Sequence, residues 1–132
     1  MNYIKLYKNY IQSLKEEKQN KIAELTASHC YDDANFIKIE LNIIEIFEQM
    51  LSASEKKVQA LTSKNTQLDV NETFIKTYLD FFEKIPANWK QSLKESQLHN
   101  DEETTYKETL KLDQAELLKA AFITFTKEVN YA

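Results

Sequence analysis

Between Phe36 and Leu51, ten of the sixteen residues are large and apolar, a density no other part of the chain reaches. Two periodicities compete there. From Ile37 to Ile43 apolar and polar residues alternate, which is the signal of a half-buried strand, and isoleucine favours strands. The helical reading accounts for more of the stretch. Lys38, Asn42, Glu45, Gln49, Ser52 and Lys56 recur at spacings of three and four, so at about 100° per residue they fall on one narrow line. The wide remaining arc carries Phe36, Ile37, Ile39, Leu41, Ile43, Ile44, Ile46, Phe47, Met50 and Leu51. A helix with so narrow a polar stripe is covered by neighbours on most sides. The pattern therefore predicts a central helix from Asp32 to Leu51, thinning through Ser54, Val58 and Leu61, with Asp32 or Asp33 capping its start.

The flanking stretches are amphipathic in the same way. Ile4, Tyr7, Ile11, Leu14, Ile22 and Leu25 predict a first helix over about Tyr3–Thr26, with the polar run Lys15–Lys21 as a solvated face. Ser28–Asp33 is the first connection and Thr62–Leu68 the second. Asp69 followed by Glu72 has capping-box spacing, and Phe74, Tyr78, Phe82 and Ile85 mark a third helix. It is expected to end at Ile85, because the residue before a proline avoids helical angles. Pro86 then suits the first turn of a short fourth helix around Trp89 and Leu93. Lys94–Thr109 is polar except for Leu98 and Tyr106, and reads as an exposed helix, a loop or a mobile segment. Asp113 and Glu116 repeat the capping-box spacing before a last helix with Leu117, Leu118, Ala121, Phe122, Phe125 and Val129 on one side. The predicted architecture is all-α: one domain over residues 1–132, an antiparallel bundle of four main helices plus a short one around Trp89.

Composition sharpens this picture. The chain has no Gly and one Pro, so tight hairpins and phosphate-cradling loops are excluded, and no P-loop or dinucleotide fingerprint is present. Every basic residue is Lys and the net charge is −4, with no basic stripe; this argues against nucleic-acid binding, which favours Arg for bidentate contacts. Cys30 is the only cysteine, so no disulfide framework or CxxC site is expected. No signal peptide is recognisable at the N-terminus and no apolar run approaches the ~20 residues that span a bilayer. A soluble, cytoplasmic protein is the expectation.

Candidate chemistry is sparse. Glu40 falls near the middle of the apolar arc, on the face that carries Asp33 a heptad earlier. A buried carboxylate must be paired, hydrogen-bonded or protonated. A Lys or Tyr on a neighbouring helix would satisfy it; the alternative is a metal- or ligand-facing carboxylate centred on Asp33 and Glu40 in the bundle interior, as helix bundles sometimes build. His29, Cys30, Asp32 and Asp33 sit close in sequence, but zinc needs ligands from at least two places and His99 is the only other histidine. No catalytic residue and no cofactor is assigned. Tyr3, Tyr7 and Trp89 are candidates for a partner surface, because tyrosine and tryptophan suit interfaces.

Asp33-Ala34-Asn35-Phe36, Lys38-Ile39, Asn42-Ile43-x-x-Ile46-Phe47 and Ile85-Pro86-x-Asn88-Trp89 together resemble a group of short, uncharacterised all-helical proteins from Gram-positive bacteria. The resemblance covers most of the chain and implies a cytoplasmic bacterial setting, with no activity or site residues to transfer. The expected function is a non-enzymatic interaction module that docks on a protein partner or self-associates, a toxin-neutralising role being one form of it. The metal- or ligand-binding bundle is the alternative.

Overall fold

The computed structural model describes residues 2–130 of the chain, and side chains through Lys127. Five helices follow one another: α1 Asn2–Ala27, α2 Tyr31–Lys64, α3 Val70–Lys84, α4 Ala87–Leu98 and α5 Glu102–Asn130. The central stretch is a helix throughout, and α2 packs against α1, α3 and α5. Its predicted polar stripe is exposed at every one of the six positions from Lys38 to Lys56.

The bundle has four rods, because α3 and α4 act as one broken rod. Phe82 stacks on Phe47, Glu83 pairs with Lys119, and Ser96 meets Thr105, so α3 and α4 both run opposite to the helices they touch. Ile85 keeps helical angles (φ −66°, ψ −46°), so the pre-proline restriction is not what ends α3. Pro86 is: it has no N–H to offer the preceding turn, and its ψ of −6° opens the rod. The chain re-enters a helix at once, Lys90 N–H donating to the Pro86 carbonyl. The kink moves the rod from α2, on which α3 packs, to α5, on which α4 packs.

Two further local expectations are corrected. Asp32 and Asp33 do not cap α2; the cap position is Cys30, without a side-chain bond, and the two aspartates lie in the first turn, where they oppose the positive end of the helix dipole. Asp113 lies inside α5, which starts eleven residues earlier. Its cap is Asp101, whose carboxylate accepts from the Thr104 amide (3.1 Å) and the Thr104 hydroxyl (2.7 Å). The polar segment 94–109 is thus helix on both sides of a turn. Asp69, by contrast, caps α3 as its spacing foretold, accepting from the Glu72 amide at 2.9 Å. The α1–α2 and α4–α5 turns share one geometry. Each has a left-handed residue, His29 (φ 61°) or Asn100 (φ 55°), in a chain with no glycine to place there. In each, the next amide reaches back five residues, Cys30 to Leu25 and Asp101 to Ser96, both at 2.8 Å.

The core sits in one half of the bundle. Tyr3, Tyr7 and Ile11 of α1, Ile43 to Val58 of α2, Phe74, Tyr78 and Phe82 of α3, and Ala115, Leu118 and Phe122 of α5 form its buried cluster. Phe122 meets Tyr3, Tyr7 and Tyr78 edge-on, at centroid distances of 6.1, 5.1 and 4.7 Å. The other half is thinner. Phe36, Ile37, Ile39 and Leu41 are only half-buried, and the fully buried members of the apolar arc, Ile43, Ile44, Phe47 and Leu51, all lie in its second half. The reason is visible in the neighbours: α1 turns polar after Leu14, and α4 has moved to α5. Val129 lies outside the residues whose side chains are described.

A hydrogen-bonded relay runs through the core. The Tyr78 hydroxyl donates to the Phe47 carbonyl (3.1 Å), in the interior of α2. Its oxygen lies 2.8 Å from the Tyr7 hydroxyl. Tyr78 has one proton, committed to the carbonyl, so Tyr7 is the donor in the second bond. Tyr78→Phe therefore orphans a buried donor on Tyr7 and should cost about 1–3 kcal/mol, whereas Tyr7→Phe should cost about 1 kcal/mol or less. The double variant should be no less stable than Tyr78→Phe. Urea unfolding of the three proteins checks the order, and equal single-variant losses would overturn the donor assignment.

Burial also pushes both phenols well above their ordinary value of 10.0, and raises Tyr3 to about 12. Above pH 10 the unfolded chain releases protons that the folded chain keeps, so stability should fall as pH rises from there. A pH series of thermal unfolding should show this alkaline decline, and the Tyr7→Phe/Tyr78→Phe protein should show less of it.

Candidate functional site

The interior offers two carboxylates. Glu40 lies at the α1–α2 interface with its Oε2 3.6 Å from Lys18 Nζ, and both side chains are about four-fifths buried (20% and 19% exposed). It is one rung of a ladder, with Lys15–Glu48 and Lys8–Glu55 each at 2.9 Å. Every lysine is on α1 and every glutamate on α2, an arrangement that fixes the register of the pair. The run Lys15–Lys21 is therefore not wholly a solvated face: Lys15 and Lys18 turn inward to the ladder. Asp33 is exposed in the first turn of α2. Among the described residues no group of three or more His, Cys, Asp and Glu is gathered as a metal site.

Glu108 is the second interior carboxylate, and sequence reasoning passed over it. It sits seven residues before Ala115 and fourteen before Phe122, on the core stripe of α5, and is 7% exposed. Oε1 accepts from Lys111 Nζ at 3.0 Å; Oε2 is enclosed without a hydrogen-bond partner. The signal was present as a charge at heptad spacing from apolar residues, hidden by the expectation that the helix began at Asp113. A half-satisfied buried ion pair is a poor stabiliser. Glu108→Met should hold or raise stability, by up to about 2 kcal/mol, since Lys111 can extend to solvent. A lowered unfolding midpoint in urea would show that the pair stabilises the fold.

The candidate partner surface does not lie where the sequence placed it. Tyr3 and Tyr7 are 1% and 0% exposed and build the core with Phe74, Tyr78 and Phe122. Their spacing put them on the buried stripe of α1, and nothing in a single sequence tells a core tyrosine from a surface one. Trp89 is half-buried and packs against the core edge. The exposed large apolar residues are elsewhere: Tyr31, Leu98 and Tyr106 at one end of α2, Leu61, Leu68 and Val70 at the other, and Leu6 of α1 and Leu117 of α5 outside both groups.

One end holds the α1–α2 and α4–α5 turns. Tyr31, Leu98 and Tyr106 are exposed there, Leu98 at 81%, and Phe36 lies edge-on to Tyr106 at 4.7 Å. Both histidines are at this end, exposed, with His29 Nδ1 2.8 Å from the Tyr31 hydroxyl and His99 Nδ1 2.7 Å from the Glu95 carbonyl. Residues 24–35 and 95–106 together carry seven carboxylates and no lysine. The chain as a whole carries −4, so the rest is net positive. Hydrogen bonds from Thr104 hold the Asp101 carboxyl below the usual carboxylate range.

The other end holds the last turns of α2 and the loop into α3. Residues 56–68 carry three lysines and no carboxylate, and Leu61, Leu68 and Val70 are exposed. A groove of about 1340 Å³ opens there between α2 and the outer face of α3, with Leu61, Leu68, Ile75 and Leu79 among lysines and carboxylates of both signs, Lys57, Lys76 and Lys119 against Asp69, Glu72, Asp80 and Glu83. A smaller cleft of about 260 Å³ lies where the Pro86 kink parts the third rod from α5.

No helix among the described residues is long and apolar enough to cross a membrane. Comparison with protein-family models, curated proteins and solved structures finds no match to this chain.

Proposed function

We propose that the chain is a non-enzymatic protein-interaction module of the cytoplasm, presenting the acidic end of the bundle to a protein partner or to another copy of itself. The observation that carries the reading is Leu98, 81% exposed on the last turn of α4, with Tyr31 and Tyr106 also exposed at that end of the bundle. Large apolar side chains grouped among carboxylates suit a contact whose apolar anchors give affinity and whose rim charges select the partner. The net negative charge and the absence of arginine argue against a nucleic acid in that role. The exposed thiol of Cys30 is at home in a reducing compartment, in keeping with the resemblance to Gram-positive helical proteins.

Leu98→Ser/Tyr31→Ser removes two exposed apolar groups and should leave stability within about 1 kcal/mol of the parent. Affinity capture with quantitative mass spectrometry should show a specific protein bound to the parent and depleted on the variant. Identical sets retrieved by both proteins would sink this surface as the interaction site.

A further inference from the structure

We propose that α4 is a hinged strap, which releases from α5 and unwinds while the other helices stay folded. The inference does not depend on what docks at the Leu98 corner. It starts from how little holds this helix. α1, α3 and α5 all pack on α2, the centre of the bundle, whereas α4 packs on α5. Eight of its twelve residues are exposed, and Ser96 alone among them is buried. Its largest anchor is Trp89, half-buried at the core edge, with Leu93 half-buried one turn on.

Polar ties are as few. Lys90, Lys94 and Glu95 enter no ion pair within 4 Å among the described residues. Among the same residues, one side-chain hydrogen bond joins α4 to another helix, between the hydroxyls of Ser96 and Thr105 at 2.8 Å. By contrast, α3 is fixed to α2 by the Tyr78 bond to the Phe47 carbonyl and to α5 by Glu83 and Lys119. The helix does not stabilise itself either. Pro86 at its cap position makes no side-chain bond, its first turn has no carboxylate and its last turn no base. Asp69 and Asp101 supply such caps to α3 and α5. A helix of about twelve residues is marginal in water by itself, so the order of α4 depends on its contact with α5.

Both ends of the segment permit the motion. Pro86 has no N–H to tie α4 to the last turn of α3, and the turn at Asn100 leads into a helix with a cap of its own. At the Pro86 end the cleft of about 260 Å³ already parts the rod from α5, with Phe82, Pro86, Leu112 and Ala115 in its walls. Release of α4 widens this cleft and bares the apolar side of α5 at Leu112 and Ala115. The relay of Tyr7 and Tyr78 and the α1–α2 ladder contain no residue of α4, so both survive the opening. Segments with few buried contacts open at lower free energy than the core.

Native-state hydrogen exchange of the full chain, read by mass spectrometry, tests this. Relative to their intrinsic rates, amides of residues 91–98 should exchange at least tenfold faster than those of residues 43–58 in α2. Tyr78→Phe alters the core equally in the closed and open forms. It should therefore speed exchange in α2 several-fold and leave that of α4 unchanged. In a Cys30→Ser background, oxidised Ser96→Cys/Thr105→Cys should slow α4 exchange at least tenfold, and a reductant should reverse the effect. Exchange of α4 as slow as that of α2, or equal acceleration of both by Tyr78→Phe, overturns the proposal, because α4 then opens only when the whole bundle unfolds. An oxidised cross-link that leaves α4 exchange unchanged overturns it as well, because the exchange then does not require release from α5.

Discussion

The bond from the Tyr78 hydroxyl to the Phe47 carbonyl is the point on which the bundle is assembled. It joins α3 to the backbone of α2, and through the Tyr7 hydroxyl it draws in α1. Phe122 of α5 closes edge-on over both rings. Four rods therefore meet within one aromatic cluster that has polar atoms at its centre. Aromatic packing alone tolerates sliding, because rings accept several offsets. A buried hydroxyl does not, because a helix shifted by one turn would strand the donor in an apolar interior. The relay is a register lock as well as a contact. On the α1–α2 surface the lysine–glutamate ladder imposes the same register from outside, with rungs at Lys8, Lys15 and Lys18.

The same cluster explains why the molecule is polar end to end. The relay gathers the large side chains of α1, α3 and α5 around the second half of α2. Pro86 then diverts the third rod onto α5, and the first half of α2 is left with half-buried isoleucines. The Leu98 corner belongs to this thinner half. Regions with few buried contacts open at lower free energy than the core. The exposed Leu98 corner thus lies where the fold is least committed, and α5 connects it to the part that is most committed.

The sequence made the rods legible because their signals are local. The polar line from Lys38 to Lys56 could be read directly, since helical periodicity on one helix needs no partner to be recognised. The Asp69 cap was visible for the same reason. Features that depend on two distant segments were hidden. Whether Tyr3 and Tyr7 face out or in depends on the presence of Phe74, Tyr78 and Phe122 opposite them. The Lys18 partner of Glu40 was foreseen as a type and not as a residue. Asp113 misled because a capping-box spacing inside a continuous helix looks the same as one at its start, and the true cap at Asp101 lay in a segment too polar to read as core-facing helix.

Charge placement shows most clearly what folding adds to a sequence. Along the chain, carboxylates and lysines alternate without an obvious block, and a net charge of −4 suggests nothing remarkable about the surface. The bundle brings the turn at His29 beside the turn at Asn100, and two modest acidic runs become one strongly acidic end. The lysines of the α2 C-terminus are carried about 50 Å away by the length of one helix. Glu55, Asp69 and Glu72 lie beside those lysines, so that end is of mixed charge and the acidic end is the one-sided feature of the surface. Tyr31, Leu98 and Tyr106 are exposed at the acidic end, so carboxylates and apolar groups distant in sequence are gathered there by one arrangement of the same four rods.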